Sequence, residues 1–396
     1  MKSNFAKSIT VVLTLMLAAC AAAKGPSAQE AAVKQWNDAR SAVLVGLASD
    51  QYQNANFDKS RSTIDQALRL SPDNAVARLL SAKLYIETGS LEAAERELML
   101  ASQSPATAAE AAYLSGVVYQ RWQQPQRALE CYQQACDKAP AELAYVLAKA
   151  EMLVAMDHRD DALTMLQSKV AYFEHSGEIR DEVGLLLMQE KRYPEAIEML
   201  RRAAILAPDD LTVREHLAMA LFYENQFAES ADLLNKLLTG GNGDQRPDLE
   251  ITLGECQLQT GDFSDAVQNF QQASEEMPQS VGVWLGLARA ELQLNNPKQA
   301  EFALRRCLAL DHPPGEAHLL MGYTMLRENR LMDAYGCFVR ANQLDPTDTV
   351  SICMVGLALD RLGRAHDAAA WYQRALKLSP GDEMAQQLLA SLDDHQ

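Results

Sequence analysis

Aromatic side chains supply only 6% of this 396-residue sequence. Ala and Leu are abundant instead, a balance that favours helices over strands, whose half-buried faces draw on aromatic and β-branched residues. Positive charge is also short. The 36 Lys and Arg against 53 Asp and Glu leave a net charge of −17, which argues against binding to nucleic acid or an anionic lipid surface by bulk electrostatics. The seven cysteines show no C-x-x-C spacing, so a zinc site has no support. Cys131 and Cys136 lie five apart on one expected helix and point to different faces, so structural thiols are expected there rather than a disulfide. H-E-x-x-H, G-x-S-x-G and the phosphate-binding G-x-x-x-x-G-K-[ST] are all missing. The acidic run 157–161, "DHRDD", reads as a solvated turn. No catalytic residue, metal or cofactor is expected.

Long apolar runs are missing too, and the one near the start is short. It spans Ile9 to Ala19, follows Lys2 and Lys7, and ends at Cys20. As a helix it rises only about 16 Å, whereas a bilayer core takes roughly 20 residues to cross. A basic start, a short apolar middle and small residues at the end are the parts of a secretory signal peptide. Leu17-Ala18-Ala19-Cys20 resembles the lipobox of bacterial lipoprotein precursors. That resemblance implies cleavage after residue 19, lipidation of Cys20 and a short lipidated tether over 20–27. Ala21 resembles the residue that follows the cysteine in the outer-membrane sorting class. The expected location is therefore the cell envelope, lipid-anchored at the outer membrane and facing the periplasm.

What the sequence has in quantity is self-similarity. Repeats of 34 residues open at Ser41, Ala75, Ala109, Leu143, Gly177 and Leu211. After two extra residues they resume at Pro247, Val281, Gly315 and Thr349. The eighth residue of every repeat is Ala or Gly, from Ala48 to Gly356, and the twentieth is always Ala or Ser, from Ser60 to Ala368. Proline stands thirty-second in six repeats: Pro72, Pro140, Pro208, Pro278, Pro346 and Pro380. The pattern resembles the tetratricopeptide repeat, which the third repeat shows well with Gly116, Tyr119, Ala128, Tyr132, Ala135 and Pro140. The resemblance implies an all-α, right-handed superhelical solenoid of about ten helix–turn–helix hairpins. Small residues at places eight and twenty let the two helices of a hairpin approach closely, and the prolines end each second helix.

One hairpin cannot bury its apolar face alone, so such an array needs ends that are finished off. Ser27-Ala28-Gln29-Glu30 has the form of a capping box, so a helix carrying Trp36 is expected over 28–40, leading into the first repeat. Repeats one to six fill 41–246 and seven to ten fill 247–382, divided by the glycine-rich stretch 239–246. Residues 383–396 are expected to form a C-terminal capping helix with Met384, Leu388, Leu389 and Leu392 on its apolar side.

In the tetratricopeptide family, the first helix of each repeat lines a concave groove with its second, fifth, ninth and twelfth residues. Carried to this chain, the groove set is Leu79, Tyr113, Leu147, Ile251, Leu285, Leu319 and Tyr323, suited to an extended or helical segment of a protein partner. The Lys and Asn that clamp a carboxylate in some family members are missing from the corresponding places. Repeats five to seven instead gather Glu178, Asp181, Glu182, Glu215, Asp248 and Glu255. This acidic patch suits a basic partner segment, or it complements the dipoles of the first helical turns. The reading is a non-enzymatic scaffold for protein partners, held to a membrane by its lipid alone, resembling lipoproteins that assist type IV or Flp pilus assembly, secretion or export. A soluble adaptor or chaperone without the lipid is the alternative, and a catalytic solenoid the third class. The oligomeric state is left open.

Overall fold

A computed structural model describes residues 27–240 and 246–393. The signal segment, Cys20 and most of the 20–27 tether lie outside the described residues. Among the described residues there are 21 helices and no strand. The first, α1 (Ala28–Gln53), begins at a complete capping box: the Glu30 backbone N–H donates to Ser27 Oγ at 3.2 Å, and the Ser27 N–H donates to the Glu30 carboxylate at 2.7 Å. It runs unbroken into the first repeat and pairs with α2 (Phe57–Leu70). The next three hairpins are α3 (Ala75–Glu87) with α4 (Leu91–Ala101), α5 (Ala108–Arg121) with α6 (Pro125–Lys138), and α7 (Leu143–Ala155) with α8 (Arg159–Val170). Then follow α9 (Gly177–Gln189) with α10 (Tyr193–Leu206), α11 (Leu211–Tyr223) with α12 (Phe227–Gly240), and α13 (Pro247–Thr260) with α14 (Phe263–Glu276). The last three are α15 (Val281–Gln293) with α16 (Pro297–Leu308), α17 (Gly315–Arg327) with α18 (Leu331–Leu344), and α19 (Thr349–Arg361) with α20 (Ala365–Leu378), closed by α21 (Glu383–Asp393). The chain is an all-α array of hairpins, the class the repeat implies.

Each hairpin is held by a matched pair of side chains. The eighth residue of the first helix meets the twenty-fourth of the repeat on the second. Where the eighth is Gly116, Gly254, Gly322 or Gly356, its partner is the aromatic Tyr132, Phe270, Phe338 or Tyr372. Where the eighth is Ala82, Ala150, Ala218 or Ala288, the twenty-fourth is Leu98, Leu166, Leu234 or Leu304. Gly184 with Leu200 and Ala48 with Ile64 complete the ten. Close packing conserves the summed volume, so a ring is admitted only where the methyl is given up. The twentieth place is small for the same reason, and its two serines keep their hydroxyls satisfied: Ser60 and Ser230 donate to the carbonyls of Ala48 and Ala218 at 2.7 and 2.8 Å.

The turn between the two helices of every repeat needs one residue in the left-handed region, always the fifteenth. Gly89, Gly261 and Gly363 fill it in three repeats and Asn225, Asn295 and Asn329 in three more; Ala55, Gln123, Asp157 and Lys191 take it with positive φ in the remaining four.

The array falls into two compact units, residues 1–174 and 175–396. The division comes after the fourth repeat, where Lys149, Lys169 and Glu174 depart from the pattern, and not at the glycine-rich stretch 239–246. Across that stretch the core is continuous: Leu234 and Leu237 of α12 share one buried cluster with Leu249, Leu253 and Cys256 of α13. At the C-terminal end α21 buries Ala385 and Leu392 against the last hairpin, with Leu388 packed on Ile352, Cys353 and Ala375. Met384, expected on this inner side, is exposed; the spacing 385, 388, 389, 392 follows one helical face and leaves 384 off it.

Candidate functional site

Within the second compact unit the first helices α13, α15 and α17 line an open cavity of about 1000 Å³. Its lining combines apolar Leu258, Leu292 and Leu320, the amides Gln259, Gln293 and Asn295, and Arg289, Tyr323 and Arg327. Except for Leu320 and the turn residue Asn295, these stand at the ninth, twelfth and thirteenth places of their repeats. Those places share one helical face because they are spaced by three and four.

The fifth place behaves differently. Leu79 and Leu285, expected in the groove, are only 5% and 8% exposed and belong to the buried clusters that join successive hairpins. Ile251 and Leu319 are half-buried against the same core as Leu285. Tyr113 is half-buried and stacked on Tyr145 with ring centroids 4.9 Å apart, and Leu147 is half-buried as well. Fifth-place side chains therefore point along the stack into the neighbouring first helix. Tyr323, at a ninth place, is 42% exposed and edges the cavity. Sequence reasoning passed over Arg327, Gln259 and Gln293 of the thirteenth place, although four residues beyond the ninth is one helical turn on the same face.

Charges at the groove come as cross-repeat pairs. Arg289 holds Glu316 of the next repeat through two hydrogen bonds of 2.8 and 2.9 Å and reaches Glu255 of the preceding one at 3.5 Å. Lys83 and Glu110 repeat the ninth-to-second arrangement in the first compact unit at 2.5 Å. Arg327 donates to Asn295 and lies over the Tyr323 ring, 5.7 Å from its centroid.

The acidic patch is largely met by cations. Asp181 accepts from His216 Nδ1 at 2.9 Å, Glu215 and Asp248 share Arg246 at 2.9 to 3.0 Å, and Glu255 has Arg289. Glu178 is exposed in the first turn of α9, where it complements the helix dipole, and Glu182 is exposed on the same helix. The Asp181 hydrogen bond raises the His216 pKa against the opposing effect of burial. Arg246 draws the Asp248 carboxyl below its usual range, whereas burial pushes Glu255 up despite Arg289.

The six cysteines among the described residues are all unpaired thiols, and burial raises the pKa of each, with Cys131 and Cys353 pushed up to about 11. Among the described residues no group of three or more His, Cys, Asp or Glu is placed to hold a metal, and no helix is long and apolar enough to cross a membrane.

Comparison with known proteins places this geometry in a family. Tetratricopeptide repeat models match residues 47–116 and 257–323, 147–210, 182–247 and 354–383, and 109–141, together well over half of the chain. A human protein O-mannosyl-transferase, TMTC1, is 23% identical over 219 residues; the match takes in 55% of this chain but only 21% of that protein. Among solved structures, a tetratricopeptide repeat protein of Parabacteroides merdae aligns over 64% of this chain and 99% of its own, with 14% identity and a TM-score of 0.44. Pseudomonas aeruginosa PilF aligns over 54% of this chain and 97% of its own, with 19% identity and a TM-score of 0.46. With its 34-residue period, its paired small and large residues and repeat models matching well over half of its length, the chain belongs to the tetratricopeptide repeat family.

Proposed function

We propose that this protein is a non-catalytic scaffold that holds partner proteins in the groove of α13, α15 and α17, anchored in the bacterial envelope through a lipidated Cys20. The single observation that carries the groove is its open lining. Leu258, Leu292 and Tyr323 present apolar surface beside Gln259, Gln293 and Asn295, the mixture that an extended peptide needs for side-chain and backbone contacts. Tetratricopeptide arrays generally mediate protein–protein contacts, which is the coarse function of the fold.

The anchor is supported by the order of basic residues, apolar run and Leu17-Ala18-Ala19-Cys20 in the sequence. Two or more acyl chains on one cysteine hold a protein on a membrane where one does not. The outer-membrane, periplasm-facing location rests on Ala21. The role in assembling a pilus, secretion or export machine rests on resemblance to envelope lipoproteins of this build. A basic partner segment is favoured by the exposed carboxylate of Glu178 in the first turn of α9, whose attraction high salt would screen.

The test is in-cell photo-crosslinking from Tyr323 and Leu258, with Leu285 as the buried comparison, and mass spectrometry of the captured peptides. Capture from Tyr323 and Leu258 of one envelope-machine component supports the reading. Capture only of the chain's own repeats from all three positions refutes the groove. Membrane fractionation of Cys20→Ala decides the anchor separately: an unchanged membrane fraction refutes lipidation and leaves the groove standing.

A further inference from the structure

The face of α1 between Val33 and Leu47 is exposed where the matching face of later repeats is covered. Val43 is 74% and Trp36 65% exposed, and Val33 and Leu47 are open as well. Val43 is the third residue of its repeat and Leu47 the seventh. In later repeats the third place is buried, as at Ile179, Val213 and Val283, with Tyr145 half-buried the one departure. The seventh place is buried in all of repeats five to ten.

What covers those places is the second helix of the preceding hairpin. The eighth repeat shows the fit most plainly. There α14 lies on α15 with Ala266, Phe270 and Ala273 fully buried, and the Phe270 ring occupies the space where a Cβ on Gly286 would stand. Gly286 is the sixth residue of its repeat. The sixth residue of the first repeat is Gly46, and a Cβ there would meet nothing within 4 Å. Gly46 is the same notch without its knob.

Charge says what kind of helix fits. Beside the stripe lies a shallow depression of about 570 Å³ whose lining includes Trp36, Arg40, Val43 and Arg69 and no carboxylate, on a chain whose net charge is −17. The helix that covers the corresponding face of α15 carries Asp265, Glu275 and Glu276 and no basic residue. We propose that this face of α1 is a second docking surface, taking an acidic amphipathic helix of a partner protein seated as α14 is seated on α15. A bulky apolar side chain enters over Gly46, and carboxylates meet Arg40 and Arg69. A second copy of the chain fits less well, because an antiparallel pair of these stripes centred on Arg40 sets guanidinium against guanidinium. A lipid surface makes no use of the notch. The surface belongs to the first compact unit and does not rest on the groove of the second.

The probe is a hydrocarbon-stapled, fluorescein-labelled peptide copying residues 263–276, titrated with the full chain and read by fluorescence anisotropy. Saturable one-to-one binding is expected, weakened about tenfold or more by Arg40→Glu or Gly46→Leu in the chain, or by Phe270→Ala in the peptide. Gly336→Leu, at another glycine with open space around it, is expected to leave binding unchanged. Far-UV circular dichroism verifies that each variant stays folded. Absence of binding up to about 1 mM, or binding indifferent to Arg40→Glu and Gly46→Leu, overturns the proposal. It is also overturned by a dimer in sedimentation that Gly46→Leu dissociates, or by phosphatidylglycerol vesicles that shield Trp36 from a quencher. Hydrogen-exchange protection of 31–47 that disappears when residues 1–26 are removed overturns it too, since the chain's own leading segment would then be the cover.

Discussion

Exchanging the pair Gly322 and Phe338 for the alanine–leucine pair of the sixth repeat tests the packing rule directly. An ideal Cβ on Gly322 falls 2.5 Å from Phe338 Cε1 and 2.6 Å from Cδ1, about 1 Å inside ordinary contact. Gly322→Ala therefore forces the ring aside in a fully buried site, at about 1–3 kcal/mol for overpacking. Alanine returns about 0.8–1 kcal/mol of helix propensity, so the net loss is about 0–2 kcal/mol. Phe338→Leu removes part of a side chain whose truncation to alanine would cost about 3–5 kcal/mol, and leaves a void beside Gly322. Together the two changes recreate the Ala218–Leu234 arrangement, in which the methyl fills the space the ring has left. The double variant should be more stable than the sum of the single changes by about 1–2 kcal/mol, well above the roughly 0.3–0.5 kcal/mol scatter of independent sites. Repeat arrays need not unfold in one step, so the assay is native-state hydrogen exchange of peptides from α17 and α18, supported by urea titration. Additivity within that scatter would refute the reasoning.

The other expectations are independent of this pair. Lys191→Gly relieves a left-handed backbone at φ 59° and should raise stability by about 0.5–1 kcal/mol in a urea titration, since the strain released exceeds the unfolded-state entropy added. Leu285→Ala should lower stability by about 2–4 kcal/mol, whereas Tyr323→Ala should stay within about 0.5 kcal/mol, which thermal melts would check as the separation of packing from groove. His216 has its pKa raised by Asp181, so its protonated form stabilises the fold. That contribution is complete below about pH 6.5 and is lost as pH rises through the raised folded value. The stability gap between the parent and His216→Gln should therefore be widest in mild acid and close at alkaline pH. Cys131 and Cys353, with pKa pushed up to about 11, should resist iodoacetamide at pH 7.5 in a Cys20→Ala background and react on unfolding.

How far the sequence could be read depended on whether a feature was local or lay between repeats. The 34-residue period and the small eighth and twentieth residues carried the helix starts, because a steric requirement inside one hairpin leaves a mark at fixed places. Met384 and Ala385 show the limit of that reading: one residue of phase turns a side chain from core to solvent. The groove was half legible. The sequence placed the candidate groove on first helices, three of which line the cavity, but whether the fifth or the ninth residue faces outward depends on how far one hairpin rotates on the next. Pairing between repeats hid the rest. Glu215 and Arg246, Asp181 and His216, and Glu255 and Arg289 stand 31, 35 and 34 residues apart. Acids counted along one helix face looked like a free patch until their partners a repeat away were seen.

The matched eighth and twenty-fourth residues have a consequence for how such a chain can change. Both members of each pair belong to the same repeat, so a cut at a repeat boundary never separates them. Whole repeats can then be duplicated, lost or reordered with their internal fit intact, while an exchange inside a repeat can join a ring to a methyl. The seventh and eighth repeats are additionally interlocked, because Phe270 fits against Gly286 of its neighbour as well as against its own Gly254. Moving one without the other leaves that notch without its ring, which favours inheriting the two as one block.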